Sequence, residues 1–486
     1  MEYTKKHPCF EQNRLRRDLA MDLYEGGRCI EVERVKTLLT RHPFETEAQY
    51  KIRLDRAIYR NFAAPIVDVF SGMVCEKRPE RTLPEALKPI EKDADRLGND
   101  AGTFFDDVVR NAAGGGARFV LVDMEPPKGD TLAADKQAGR RLVPYFVDID
   151  ADNVWDWGLD DKGLAWVVIH STEAVEPKAF EIAMVVDVLT VWTRQTWQKF
   201  KGQPRAVTIA ENELTNIYAT QMQQEGEPIA HPCGMVPLVP FLFEPRTHMT
   251  GNPATDDVLS LIVGTFRRYS ELDKMLFDCG FPLMVVNGLS PDDGDKFIRA
   301  SSNMLVSSEK DGINATYVET AGSSFAAQTT YLTYDIQQIR EISLRMVRPD
   351  SAVGQSAESK KLDNAQLDTQ LAKFARRCAS AEKRCWQLAA AWLGMKNVAD
   401  DAILTPYNED YSEDSTNMLD KAFVLELTRL NVISKVTALE LLMKTGTLPE
   451  DFDPAAEADK VAQGVLTNAG QNGASSLLDG LGLPRI

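Results

Sequence analysis

The sequence predicts an α+β chain that is mainly helical, and three observations carry that prediction. Apolar residues recur at spacings of three and four over 359–393, which describes one long helix with a single buried face. Between 144 and 210 the pattern changes to short strand-like runs separated by turns, which predicts an antiparallel sheet. Helical periodicity returns on both sides of that region, over residues 1–80 and 414–443. With 486 residues, 44% hydrophobic and 26% charged, the chain has room for two or three domains and can build its cores without disulfides.

Taken in order, 3–24 reads as a charged amphipathic helix. Residues 46–73 place Tyr50, Leu54, Ile58, Phe62, Ile66, Val69 and Met73 at helical spacing, with Pro65 expected to kink or divide the run. A helix over 95–111 leads into Gly114-Gly115-Gly116 and then the apolar run 119–123. A phosphate cradle needs strand, glycines, helix in that order, so helix, glycines, strand is read as a C-cap before a buried strand. The segment 125–141 is a Pro, Gly and Lys-rich loop.

Strands follow at 144–149, 165–170, 185–194, 196–201 and 206–210. They carry Trp166, Trp192 and Trp197 without interleaved basic residues, which favours a core or interface role over base stacking. A Pro-bounded strand, 234–241, precedes a helix over 255–279, where Thr255 is the cap and Leu259, Ile262, Val263, Phe266, Tyr269, Leu272, Met275 and Leu276 form the apolar face. Residues 281–330 mix strands at 282–286, 304–307 and 315–318 with a short helix at 291–300. A helix over about 332–347 follows, with Ile336, Ile339, Ile342 or Ser343, and Met346 on one side, and Pro349 ends it.

The loop after Pro349 holds only small and polar residues as far as Ser359. In the long helix beyond it, Leu367, Leu371, Phe374, Cys378, Ala381, Cys385, Leu388 and Trp392 share a face, and Gly394 closes the run. At ~1.5 Å per residue this helix is roughly 50 Å long. Two helices over 414–443 and a Gly, Ser and Asn-rich tail from 469 complete the chain.

Several function classes are disfavoured. Seven scattered cysteines with no CxxC read as reduced thiols. No apolar stretch is long enough for a membrane span; the best, 258–276, carries Arg267, Arg268, Glu271, Asp273 and Lys274. None of His7, His42, His170, His231 and His248 lies at metal-ligand spacing, and no GxSxG, Walker lysine or kinase set is present, so the chain reads as a non-enzyme without metal or cofactor. Asp292-Asp293-Gly294-Asp295 lacks the distal Glu of a calcium loop and reads as a solvated turn. The net charge of −17 argues against a surface that grips nucleic acid, although it suits a conduit whose walls must not hold a moving polyanion.

The ordered series of helix, small α/β module, helix, loop and long helix resembles the tailed-bacteriophage portal proteins, or head-to-tail connectors, in a family that once carried a domain-of-unknown-function label. Further points of similarity are Tyr50, Tyr59-Arg60-Asn61-Phe62, Gly72 and Lys77-Arg78-Pro79, the Gly-Arg step into the strand ending Val122-Asp123, and the Val236-Pro237 strand leading into the 255–279 helix. Leu430-Asn431-Val432-Ile433-Ser434-Lys435 and Thr445-Gly446-Thr447-Leu448-Pro449 extend the likeness towards the C-terminus.

The resemblance implies a wing over 1–254, a first stem helix over 255–280, a clip over 281–330, a second stem helix over 331–348, a tunnel loop over 349–359, a spine helix over 360–395 and a C-terminal helical crown over 396–486. It also implies a ring, in that family of twelve subunits, at one capsid vertex of the virion, assembled in the host cytoplasm. Double-stranded DNA would pass through without sequence specificity. Terminase, head-completion and tail adaptor proteins, major capsid and scaffolding proteins would be the partners, and no membrane would be involved. Tunnel-lining residues are then expected at Ser351, Ala352, Val353, Gly354, Gln355, Ser356, Lys360 and Lys361, and partner-binding clip residues at Lys296, Arg299, Glu309, Lys310 and Asp311. The long helix carries seven bases against four acids, which reads either as a solvated face with ion pairs between subunits or as a source of phosphate contacts. Readings left open beside this one are a cellular α+β enzyme or nucleotide-binding protein, and another phage head component.

Overall fold

A computed structural model describes residues 5–26, 37–76, 79–125, 142–175, 184–206, 222–280, 283–287, 304–307, 314–318, 323–344, 357–395 and 402–407. The chain divides into two units, Met1–Asp410 and Tyr411–Ile486, and every described residue belongs to the first. The readings at 126–141, 291–300, 345–356, 414–443 and the C-terminal tail lie outside the described residues.

The fold is α+β. Its N-terminal helices are α1 (Pro8–Glu25), α2 (Glu47–Arg56), α3 (Ala63–Cys75), the single turn α4 (Lys88–Lys92) and α5 (Ala101–Gly115). The 46–73 run is divided, as its proline implied, but the break lies at 57–62 and Pro65 sits in the first turn of α3. The absent N–H costs nothing there. Thr46 and Gln49 form a capping box at the start of α2. Helix α5 begins at Ala101 rather than 95, because the Asp100 carboxylate accepts from Thr103 N at 2.7 Å and fixes the start.

Gly116, in the left-handed region at φ 83°, ends α5. It crosses Gly251 so closely that neither residue has room for a Cβ. The glycines therefore serve a helix end and a backbone crossing.

Strand β1 (Ala117–Asp123) lies centrally in an antiparallel sheet of order β2-β1-β9, with β2 at Tyr145–Asp150 and β9 at Leu238–Leu242. Phe119, Val120 and Val122 are buried, and β1 packs against α5 and the long helix described below. A second antiparallel sheet has the order β3-β4-β5-β6-β8, comprising β3 (Val154–Asp160), β4 (Gly163–Val175), β5 (Met184–Thr193), β6 (Thr196–Lys201) and β8 (Gln223–Ala230). The two-residue β7 (Arg205–Ala206) pairs with β5, and β10 (Glu244–Pro245) pairs with β11 (Gly251–Asn252). Trp192 is buried, as are Trp155 and Trp157 of the unpredicted strand β3.

Helix α6 (Leu259–Gly280) is followed by β12 (Leu283–Asn287), β13 (Met304–Ser307) and β14 (Asn314–Val318), which form a three-stranded sheet with β12 central, parallel to β13 and antiparallel to β14. Helices α7 (Ser323–Leu344) and α8 (Ala357–Trp392) complete the unit. α7 starts inside the span assigned to the clip, eight residues before the expected 331.

Candidate functional site

The region built around α6, α7 and α8 is where the sequence reading placed function, and its three helices are held in different ways. α6 buries Leu259, Ile262, Thr265, Phe266 and Ser270. Arginines fasten its outer side. Arg53 donates to both Glu45 oxygens at 2.9 Å and to Thr40 O at 2.7 Å, and its remaining Nη1 reaches Ser270 Oγ at 3.4 Å. The Arg53 guanidinium holds the Glu45 carboxyl below its usual range. Arg56 lies 3.9 Å over the Phe277 ring and meets Asp273 at 3.3 Å, Arg60 lies 3.8 Å over Tyr269, and Arg267 donates to Leu38 O at 2.8 Å. Tyr59 meets Phe266 edge-on at 5.5 Å and anchors through its hydroxyl on Leu23 O at 2.8 Å. Leu276, expected on the apolar face, is exposed.

α7 packs on α6 through a single stripe of Leu332, Asp335, Ile339 and Ser343. Of the alternatives open at 342 or 343, Ser343 faces inward and Ile342 outward; the serine hydroxyl donates to Ile339 O at 2.5 Å and so needs no outside partner. Asp335, nearly buried, pairs with Arg268, whose guanidinium also lies 4.7 Å over Tyr331. Much of the rest of α7 is open: Thr329, Thr330, Tyr331, Thr333, Tyr334, Gln337, Arg340, Glu341 and Ile342 are exposed. Thr330 and Thr333 donate to carbonyls one turn back at 2.8 and 2.9 Å. Such a face is polar and carries one base, Arg340, and one acid, Glu341, so it has no net charge.

α8 is the opposite case. Leu371, Phe374, Cys378, Ala381, Cys385, Leu388 and Trp392 are all buried, as the spacing predicts, and Ala375, Glu382, Trp386, Ala389 and Ala390 join them. Glu382 is fully buried; it accepts from Arg81 Nε at 2.5 Å, Trp386 Nε1 at 3.0 Å and Tyr407 OH at 2.6 Å. These bonds satisfy its charge and tie three distant segments together. Trp392 Nε1 donates to Val122 O at 2.9 Å and Arg377 to Phe243 O at 2.6 Å. Burial pushes the Cys378 and Cys385 thiols well above their ordinary range, so both behave as packing groups. Lys373, Arg376, Arg377 and Arg384 face solvent.

Lys360 and Lys361 fall near the N-terminus of α8, but their side chains lie outside the described residues, as do Ser351, Ala352, Val353, Gly354, Gln355 and Ser356 and the clip residues Lys296, Arg299, Glu309, Lys310 and Asp311. The Arg81–Glu382 pair was missed in the sequence, where 301 residues separate its members and no motif marks either. Among the described residues no group of His, Cys, Asp or Glu could hold a metal ion, and no helix is long and apolar enough to cross a membrane. His170, buried against Trp155 at 4.5 Å, contacts Asp187 at 3.2 Å, and burial lowers its pKa below the ordinary value.

This helical region is also where a known family matches. Residues 257–393 fit the profile described as "Domain of unknown function (DUF4055)", from the start of α6 to the end of α8. No curated protein matches the chain. Among solved structures it is similar to chains described as "Neck of native GTA particle computed with C12 symmetry" and "Neck of empty GTA particle computed with C6 symmetry", each at a TM-score of 0.38. A third is described as "Virion of native gene transfer agent (GTA) particle", at 0.39. Identity is 12% in each case, over 80% of this chain and 90% of the other. At such scores the overlay assigns no residue.

Proposed function

We propose that this chain is the subunit of a phage-type portal ring, the head-to-tail connector through which double-stranded DNA enters and leaves a capsid. The observation that carries the reading is the burial of the three helices: α8 is the axle of the subunit, while α7 spends one narrow stripe on its own chain and leaves open a polar face whose one base and one acid cancel. A helix so placed is completed by neighbouring copies or lines a passage for a polyanion, and weak walls suit DNA that must slide. The small sheet between α6 and α7 would be the clip that meets terminase and then head-completion and tail proteins. Residues 351–356, with Lys360 and Lys361 beside them, would form the compliant collar at the narrowest point. The protein would act without catalysing a reaction, as a virion component in a ring of about twelve, the number the resemblance implies.

Electron microscopy of the purified chain tests the ring directly. Closed rings with a central hole are expected, and a monomer at tens of micromolar overturns the reading. Replacing Val353 and Gly354 with prolines should leave rings intact and impair DNA packaging; unchanged packaging removes the collar from the mechanism.

A further inference from the structure

Beside the exposed side of α8 lies an open groove of about 520 Å³. Its floor is apolar, with Leu159, Met235 and Leu242 among its residues, and both Leu159 and Met235 are substantially exposed. Its rim carries Lys162, Arg377 and Arg384. Among the described residues no carboxylate lines it, in a chain whose net charge is −17. Arg194, which also lines it, pairs with Asp160. No described Phe, Tyr or Trp lines the groove either, so the described lining offers bases nothing to stack on, and its chemistry selects an apolar knob flanked by carboxylates.

The same chain displays such a knob. Leu97 is 84% exposed at the tip of a turn that contains Asp93 and Asp95. A lone exposed leucine is ordinary, but this one is held out by strain. Arg96, immediately before it, is the one non-glycine among the described residues with positive φ, at 66°. The conformation is kept by Arg96 bonds to Glu125 at 2.9 Å and Val143 O at 3.1 Å, by the Tyr145 ring 4.0 Å from its guanidinium, and by Asp95, which accepts from Leu97 N at 2.8 Å. Backbone strain over-determined in this way marks positions that present something.

Knob and groove stand at opposite edges of one sheet. Phe146 N, in β2, donates to Ala94 O at 2.8 Å, which puts the turn beside the outer edge of β2. Leu238, Val239, Pro240 and Leu242 of β9, at the other edge, line the groove. Complementary patches on opposite flanks make a head-to-tail contact, the kind that closes into rings. We propose that the groove of one copy receives the Leu97 turn of the next, with Arg377, Arg384 and Lys162 facing its carboxylates. This inference rests on the ring reading and names where one contact of that ring lies.

The test pairs Leu97→Cys with Ser380→Cys, a groove residue on the exposed side of α8. Under oxidation the double variant should run as a ladder of covalent multimers on a non-reducing denaturing gel, and neither single variant should. Leu97→Asp should raise the concentration at which rings dissociate at least tenfold without lowering the melting temperature of the monomer, Leu97→Met should restore it, and Arg377→Glu with Arg384→Glu should reproduce the loss. Rings that form with no ladder, and that tolerate Leu97→Asp unchanged, overturn this contact and leave the ring reading standing. A wild-type chain that never forms rings overturns both.

Discussion

Helices α7 and α8 apply the same 3.6-residue period to opposite ends. From Leu371 to Trp392, α8 buries a wide band of leucines, alanines, cysteines and aromatic rings within its own chain. α7 has comparable regularity and, among its described side chains, buries only Leu332, Asp335, Ile339 and Ser343. Packing of a broad apolar face is what stabilises most helices in proteins, so α8 is self-sufficient and α7 draws on little. The width of the buried stripe, more than its existence, separates a helix that supports the subunit from one that meets something outside it.

The largest effect expected from this contrast falls on α8. Glu382→Ala leaves the Arg81 guanidinium, only 6% exposed, without its carboxylate, and removes the acceptor for Trp386 Nε1 and Tyr407 OH. Loss of one partner of a buried pair costs about 3–5 kcal/mol. Thermal unfolding should register the whole of that loss. A change below about 1 kcal/mol would mean that α8 is not the subunit's axle.

On α7 the corresponding change is smaller and local. Arg268→Ala strands Asp335, which is 5% exposed, at a cost of about 1–3 kcal/mol. Faster amide hydrogen exchange in α7, with α8 protection unchanged, is the expected signature. Equal acceleration in both helices would show that they form one cooperative unit and would dissolve the comparison.

Acid should loosen the clasp between α2 and α6. Glu45 titrates below its ordinary value of 4.5, chiefly through its hydrogen bonds to Arg53. A carboxyl lowered by folding contributes stability that is complete above the unfolded value and is lost as pH falls through the folded one. Stability should therefore decline below about pH 4.5, and Glu45→Gln should flatten that decline while lowering stability at neutral pH. An unchanged slope would remove Glu45 from the acid response.

How much of this was legible in the sequence follows from what each element depends on. The face of α8 is a property of spacing, so it could be read from residue types alone. β8, Gln223–Ala230, is exposed along its whole length and has no apolar alternation; only its pairing with β6 makes it a strand. β3 was missed because a register shift between Val154 and Asp156 lets Val154, Trp155 and Trp157 all be buried, which breaks the two-residue period. The Arg53 clasp and the Arg81–Glu382 pair depend on tertiary proximity, to which local pattern is blind. The expected loop and clip residues were named by resemblance, and no periodicity could have singled them out.

The smallest effect on the subunit is also the sharpest probe of the contrast. Tyr334 is 54% exposed on α7, and Tyr334→Ser should change monomer stability by no more than about 0.5 kcal/mol. A buried aromatic on α8, such as Phe374, should cost about 3–5 kcal/mol when cut to alanine. If α7 owes its remaining stability to copies around it, Tyr334→Ser will weaken rings in sedimentation while leaving the monomer's unfolding curve in place. If both curves stay where they are, the open face of α7 belongs to the passage and not to a neighbour, because a wall that only has to let a polyanion slide tolerates the loss of one ring more readily than a packed contact does.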